Sequence, residues 1–258
     1  MNHLFCLNVL LALVLLTGCT PPSSNQITQI ATLDGLLAGV YDGEVSLAEI
    51  SDYGDFGLGT YQALDGEMIF LDGVFYQVKE DGSVQQPPPE TLSPFAAVVD
   101  FEADTSTELP SLDLDGLKKK LDDVFPDQNS FIALRIEGDF ESIQTRSVGP
   151  QSKPYPTLAE VIKTQSVFNF QSVKGTLVGF RFPPFVGRLN VPGYHFHFLT
   201  EDRSAGGHVV KLKMKKGQLQ ADTVHEDYVI RLPQQTSSYS KAGNPHERSS
   251  ILEASEIE

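Results

Sequence analysis

The chain has 258 residues and a formal net charge of −15. That length builds one large domain or two small ones with a real core, and an apolar share of 40% argues against general disorder. The acidic balance argues against nucleic acid as a partner, because binding there needs basic patches that displace counterions.

The first element in chain order is the apolar run LFCLNVLLALVLLTGC, ending in Leu16-Thr17-Gly18-Cys19. It is too short for a comfortable membrane span. It resembles a bacterial lipoprotein signal peptide, the Leu-Thr-Gly-Cys ending matching the lipobox. The resemblance implies removal of residues 1–18, a lipid anchor on Cys19 and a tether over residues 19–27. The protein would then be exported and membrane-anchored, on the periplasmic or extracellular face. A plain secretory signal or an uncleaved anchor is the alternative. Cys6 lies in the leader, so the mature domain would hold no thiol, and a metal site in it must use histidine and carboxylates.

Residues 28–150 and 151–235 are read as two mixed β-sheet domains with few short helices, an α+β fold. ATLDGLLAGVYDG is a short helical pattern. The capping box Ser46–Glu49 opens a second helix that stops near Gly54. DFGLGTYQALDGEMIFLDGVFYQV, broken at Asp65-Gly66 and Asp72-Gly73, predicts a β-meander. After the stiff Pro87–Pro89 loop, FAAVVDFEA is a strand. DLDGLKKKLDDVF then places Leu114, Leu117, Leu121 and Val124 on one helical face. NSFIALRIEGDFESIQTRSV is one long strand or two short ones. A second capping box, Thr157–Glu160, opens a helix to about Lys163. The rest is mostly strand: KGTLVGFRF, GYHFHFLT, HVVKLKMK, LQADTVH and EDYVIRL. Residues 236–258 form a polar tail ending in SSILEASEIE.

The segment YHFHF alternates with period two. On a strand, His195 and His197 share one face, while Tyr194, Phe196 and Phe198 take the other and suit a core. TEDRSAGG is a polar connection, and a hairpin there brings His208 beside the pair. Three imidazoles with an open position form a catalytic zinc pattern. The competing reading is a polar strand face that happens to carry histidines. His195-x-His197 followed by Glu201 and Gly207 also resembles the first metal motif of cupins. Gly187 and Gly193 stand at the wrong distance for that motif, and no second cupin motif is visible, so Glu201 is read as a turn residue or a partner behind the ligands.

Four longer stretches occur in order: GTYQALDGEMIFLDGVFYQ, TRSVGPQSKPYPTL, GTLVGFRFPPF and NVPGYHFHFLTEDRSAGGHV. Together they resemble the α-acetolactate decarboxylase family over about Leu33 to about Pro233. The resemblance implies a carboxy-lyase that converts (S)-2-acetolactate to (R)-acetoin and CO2 with bound Zn2+, has two mixed-sheet domains, and is a homodimer. It puts the zinc ligands on His195, His197 and His208, an acid on Glu67, a threonine on Thr60 and an arginine on Arg146. It also implies a tail glutamate folding back to the site, assigned to Glu253 with Glu256 as the alternative. Thr157 stands where the family usually has a second proline.

The chemistry suits these residue types. Loss of CO2 from a β-keto acid leaves an electron pair that the ketone oxygen can take as an enediolate, which a metal stabilises as a Lewis acid. A guanidinium such as Arg146 grips anionic oxygens bidentately, although a surface ion pair is the commoner fate of an arginine. A glutamic acid protonates the enediolate on one face, with Glu67 and the tail acid as candidates. Thr60 would orient a ligand through its hydroxyl. No thiamine or pyridoxal group is required, and no phosphate-cradling loop is apparent. A cupin-like metalloenzyme and a non-enzymatic zinc-binding lipoprotein remain the other functional classes.

Overall fold

The computed structural model describes residues 25–225 and 227–234. The expected leader with Cys6 and Cys19, and the tail with Glu253 and Glu256, lie outside the described residues.

In chain order the first half runs β1 (Gln26–Ile30), α1 (Leu33–Leu37), β2 (Val45–Ser46), α2 (Leu47–Ile50), β3 (Phe56–Thr60), β4 (Glu67–Leu71), β5 (Val74–Val78), β6 (Val84–Gln85), β7 (Leu92–Ser93) and β8 (Phe95–Val99). The second half runs β9 (Thr105–Leu109), β10 (Leu112–Asp113), α3 (Leu114–Val124), β11 (Phe131–Ser147), α4 (Leu158–Val161), β12 (Ser166–Phe182), β13 (Gly193–Thr200), β14 (Gly206–Val224) and β15 (Asp227–Arg231). The short helices begin where capping chemistry ends a strand or loop. Ser46 accepts from the amide of Glu49 at 3.2 Å, and Thr157 and Glu160 form a reciprocal capping box. The expected meander is β3–β4–β5, antiparallel throughout. Asp72 and Gly73 both take positive φ, 53° and 74°, as a two-residue hairpin turn requires.

Two main sheets face each other. The first is seven-stranded, in the order β15-β1-β8-β3-β4-β5-β6. The second holds β9 to β14, and four of its strands close on themselves, because β13 pairs with both β12 and the start of β14 while β11 joins β12 to β14. The sheets therefore do not part the chain at residue 150. β11, from the expected first half, is the centre of the second sheet, and β15 returns to the edge of the first. Long antiparallel pairing of β11 with β12 and β14, strands of 17 and 19 residues, outweighs nearness in sequence.

Several strands are longer than their sequence patterns suggest. HVVKLKMK and LQADTVH form one strand through Gly217, and KGTLVGFRF begins earlier, at Ser166. Gly138 is the register partner of both Gly175 and Gly217, so a row of glycines crosses three strands. A Cβ on Gly175 would lie 2.4 Å from the carbonyl oxygen of Leu199, so only glycine allows this close passage.

Alternation sends side chains to two cores. Inside the closed strands, Leu134, Ile136, Phe140, Phe196 and Phe198 pack with Leu117 and Leu121 of α3. Between the sheets, Ala133, Val178, Phe180 and Leu199 meet Ile27, Leu58 and Ile69. Full burial of one such leucine contributes roughly 1.5–3 kcal/mol. Buried Arg181 donates to the carbonyls of Phe125 and Asp127, each at 2.6 Å, satisfying backbone acceptors where α3 ends.

Candidate metal centre and active-site cavity

The period-two pattern of β13 works as the sequence suggests. Phe196 and Phe198 enter the core inside the closed strands, which turns His195 and His197 toward the first sheet. The turn after Thr200 is pinned by its own polar groups, with Thr200 Oγ1 donating to Asp202 and accepting from the amide of Ala205. It returns the chain so that His208 is the register partner of His197. The candidate ligand atoms of His195, His197 and His208 all lie within 4.8 Å of one another. Glu201 lies in this turn, exposed and away from the trio, so the cupin-like fourth ligand is not formed.

Burial pushes all three imidazoles toward the neutral form. His195 and His208 are held well below the usual histidine range, by desolvation first, then by His197 and Arg146 for His195 and by Arg146, the other two histidines and Lys118 for His208. His197 is lowered to about 4 by burial, partly offset by its bond to Met68 and reinforced by Arg146. That bond assigns the tautomer. Nδ1 lies 2.7 Å from the carbonyl oxygen of Met68, which can only accept, so Nδ1 carries the proton. Nε2 then presents a lone pair, and it sits 3.3 Å from Oε2 of Glu67. Two acceptors at that distance need a proton on the carboxyl or a cation beside them.

The donor set fits a divalent metal ion. His195 Nδ1 and His197 Nε2 are buried without a hydrogen-bond partner, which is costly unless something occupies them. His195 Nε2 and His208 Nδ1 are 3.0 Å apart, one donating to the other. Neutral imidazoles clustered this way offer nitrogen lone pairs and no charge of their own.

The two sheets bring the other expected residues to the same place. Glu67, Thr60, Arg146, His195, His197 and His208 all line one cavity of about 80 Å3. Glu67 is the first residue of β4 and the register partner of Thr60, the last of β3. The Thr60 hydroxyl donates to the carbonyl of Gly66 at 2.8 Å, so its proton fastens the turn before Glu67. Arg146 is buried near the end of β11, opposite His208, and donates to Gln165 Oε1 at 3.2 Å.

Sequence reasoning missed three parts of the site. The Met68 carbonyl that orients His197 is backbone and carries no residue-type signal. Gln165 touches Arg146 from just past the α4 segment, where nothing in the pattern marks it. The apolar wall of Leu33, Leu64, Phe95, Val148, Leu158 and Val191 comes from six separate stretches. Each of these looks like ordinary core when read alone.

Comparison with known proteins identifies the family. The family profile for alpha-acetolactate decarboxylase matches residues 27–243. The alpha-acetolactate decarboxylase of Methanosarcina mazei is 45% identical over 219 residues, covering 84% of this chain and 76% of that protein. The Brevibacillus brevis enzyme of the same name is 40% identical over 217 residues, 84% of this chain and 76% of its own. The crystal structure of alpha-acetolactate decarboxylase from Bacillus subtilis superposes with a TM-score of 0.86 at 37% identity, covering 90% of this chain and 100% of that one. The chain belongs to the alpha-acetolactate decarboxylase family.

Proposed function

We propose that this protein decarboxylates (S)-2-acetolactate to (R)-acetoin and CO2, with zinc held by His195, His197 and His208. The observation that carries this reading is the single cavity holding three neutral imidazoles, one buried guanidinium and one carboxyl. Three nitrogen donors with no thiolate suit zinc. When bound, the ion supplies Lewis acidity that draws electron density toward the ketone oxygen of the substrate.

Arg146 binds the anionic oxygens of the substrate and sets its orientation in the cavity. The C–C bond to the carboxylate breaks, CO2 leaves, and the electron pair moves to the ketone oxygen. Glu67 then gives its proton to the carbon that lost CO2. Because Glu67 approaches from the side of β4, the proton arrives on one face and the product is a single enantiomer. The apolar wall takes the two methyl groups and excludes water, which strengthens the electrostatic contacts inside. Thr60 holds the turn that presents Glu67. Glu253, or Glu256 in its place, supplies a second acid from the tail. The likeness to the family supports that assignment.

We further propose that the protein is exported and anchored by lipid on Cys19, supported by the Leu16–Cys19 sequence, and that it is a homodimer, supported by the family likeness. Cys19→Ser should abolish incorporation of labelled fatty acid in cells. Wild-type labelling of that variant would contradict the anchor.

The activity is tested by supplying racemic 2-acetolactate to zinc-loaded protein and resolving the product on a chiral column. (R)-acetoin from one substrate enantiomer is the expected result. Turnover that needs iron and O2 would instead indicate oxygenase chemistry of the cupin kind. Bound zinc without turnover of any 2-hydroxy-3-keto acid would indicate a binding protein.

A further inference from the structure

The turn that delivers Glu67 is in an unfavourable conformation and is held from outside. Ala63 and Leu64 are consecutive non-glycine residues at φ 62° and 59°, and Gly66 follows at 85°. Left-handed L-residues persist only where neighbours over-determine them, and such places cluster at functional sites. Here several backbone groups of the turn have partners outside it. The amide of Ala63 donates to the carbonyl of Tyr41 at 2.8 Å, and its carbonyl accepts from Gln151 at 2.7 Å. Thr60 holds the carbonyl of Gly66, Gln77 Nε2 donates to the carbonyl of Asp65, and Lys79 pairs with the Asp65 carboxylate.

Gln77 differs from the others in this set. It lies on β5 and is only 4% exposed, yet it does not line the cavity. Its register partner is Met68, whose carbonyl orients His197. Gln85 Nε2 donates to Gln77 Oε1 at 2.7 Å, which fixes the amide so that Nε2 faces Asp65. A buried amide with both ends committed is thus aimed at the backbone two residues before Glu67.

We infer that Gln77 is a positioning residue for the proton donor, holding the carboxyl of Glu67 over the reacting carbon through the carbonyl of Asp65. This rests on the proposed role of Glu67. Displacement of an acid by about an ångström can cost on the order of 100-fold in rate. Arg146, His195, His197 and His208 stand on strands of the other sheet and are not carried by this turn.

Gln77→Met removes the donor at nearly constant volume. The expected result is a kcat lower by about 10- to 100-fold, KM and zinc stoichiometry within about twofold of wild type, and acetoin of reduced enantiomeric purity. A purely structural role would lower stability without changing the chirality of the product. If Gln77→Met does not fold, Gln77→Glu keeps the reach while replacing the donor by an acceptor, and the same readouts apply. A folded, zinc-loaded variant with wild-type kcat and wild-type chirality overturns the inference. Glu67→Gln is assayed in parallel. Full activity in that variant, or no acetoin from wild type, overturns the reading of Glu67 and this inference with it. A damaged Glu67→Gln beside an unaffected Gln77→Met overturns this inference alone.

Discussion

Arg146 and His208 face each other as register partners on adjacent strands, β11 and β14. A fixed cation therefore stands beside the metal trio, where it helps keep all three histidines neutral. A guanidinium and a divalent ion so close together repel unless an anion lies between them. On the proposed reading, the site would favour a substrate that carries its carboxylate beside its metal-binding oxygens. Arg146→Gln should raise KM for acetolactate by roughly 10- to 100-fold, the equivalent of about 1.5–3 kcal/mol for a charged hydrogen bond. Initial-rate kinetics check this.

Glu67 and His197 make the second test. With Nδ1 of His197 committed to Met68, Nε2 and Oε2 of Glu67 meet at 3.3 Å. Glu67→Gln keeps the shape and removes the proton donor. Its kcat should fall by roughly 100- to 10,000-fold, as for loss of a general acid. Metal analysis should find zinc retained, which separates loss of the donor from loss of the ion.

Gly207 connects fold to site. It precedes His208, sits at φ 128°, and a Cβ there would come 2.6 Å from the carbonyl oxygen of Arg146. Gly207→Ala must therefore push apart the two strands that carry His208 and Arg146. Backbone strain alone should cost about 1–3 kcal/mol, read from urea unfolding, with zinc binding weakened in the same variant.

Protons should compete with folding in the metal-free protein. The trio titrates below the ordinary histidine range, with His197 at about 4. Below about pH 6.5 the unfolded chain takes up protons that the folded chain refuses, so stability falls as pH drops from there toward 4. Each such histidine contributes up to about 1.4 kcal/mol per pH unit within that window. Denaturant melts at pH 7, 6 and 5 measure the slope. Replacing His197 with Asn should flatten it.

Much of this architecture is readable in the sequence where local chemistry decides. The Ser46 and Thr157 caps, the Asp72-Gly73 hairpin and the alternation of Tyr194–Phe198 each act over a few residues, and each forms as expected. The trio is readable for the same reason, because His208 follows one short turn after His197. What is not readable depends on one sheet packing on the other. Nothing near Met68 or Glu67 in sequence says that His197 will lie against them, since their strands belong to different sheets. The placement of β11 and β15 escapes a linear reading because strand pairing skips long intervals of chain. The assignment of Thr60, Glu67 and Arg146 rests on likeness to a family, and without it Glu67 reads as an exposed acid at the start of a strand.

The most direct measurement is acetoin and CO2 release from 2-acetolactate by the zinc-loaded protein, before and after chelation and after zinc is restored. We expect stoichiometric acetoin and CO2, lost when the ion is stripped and recovered when it returns. Metal-replete, folded protein that releases no CO2 from acetolactate would contradict the proposed function.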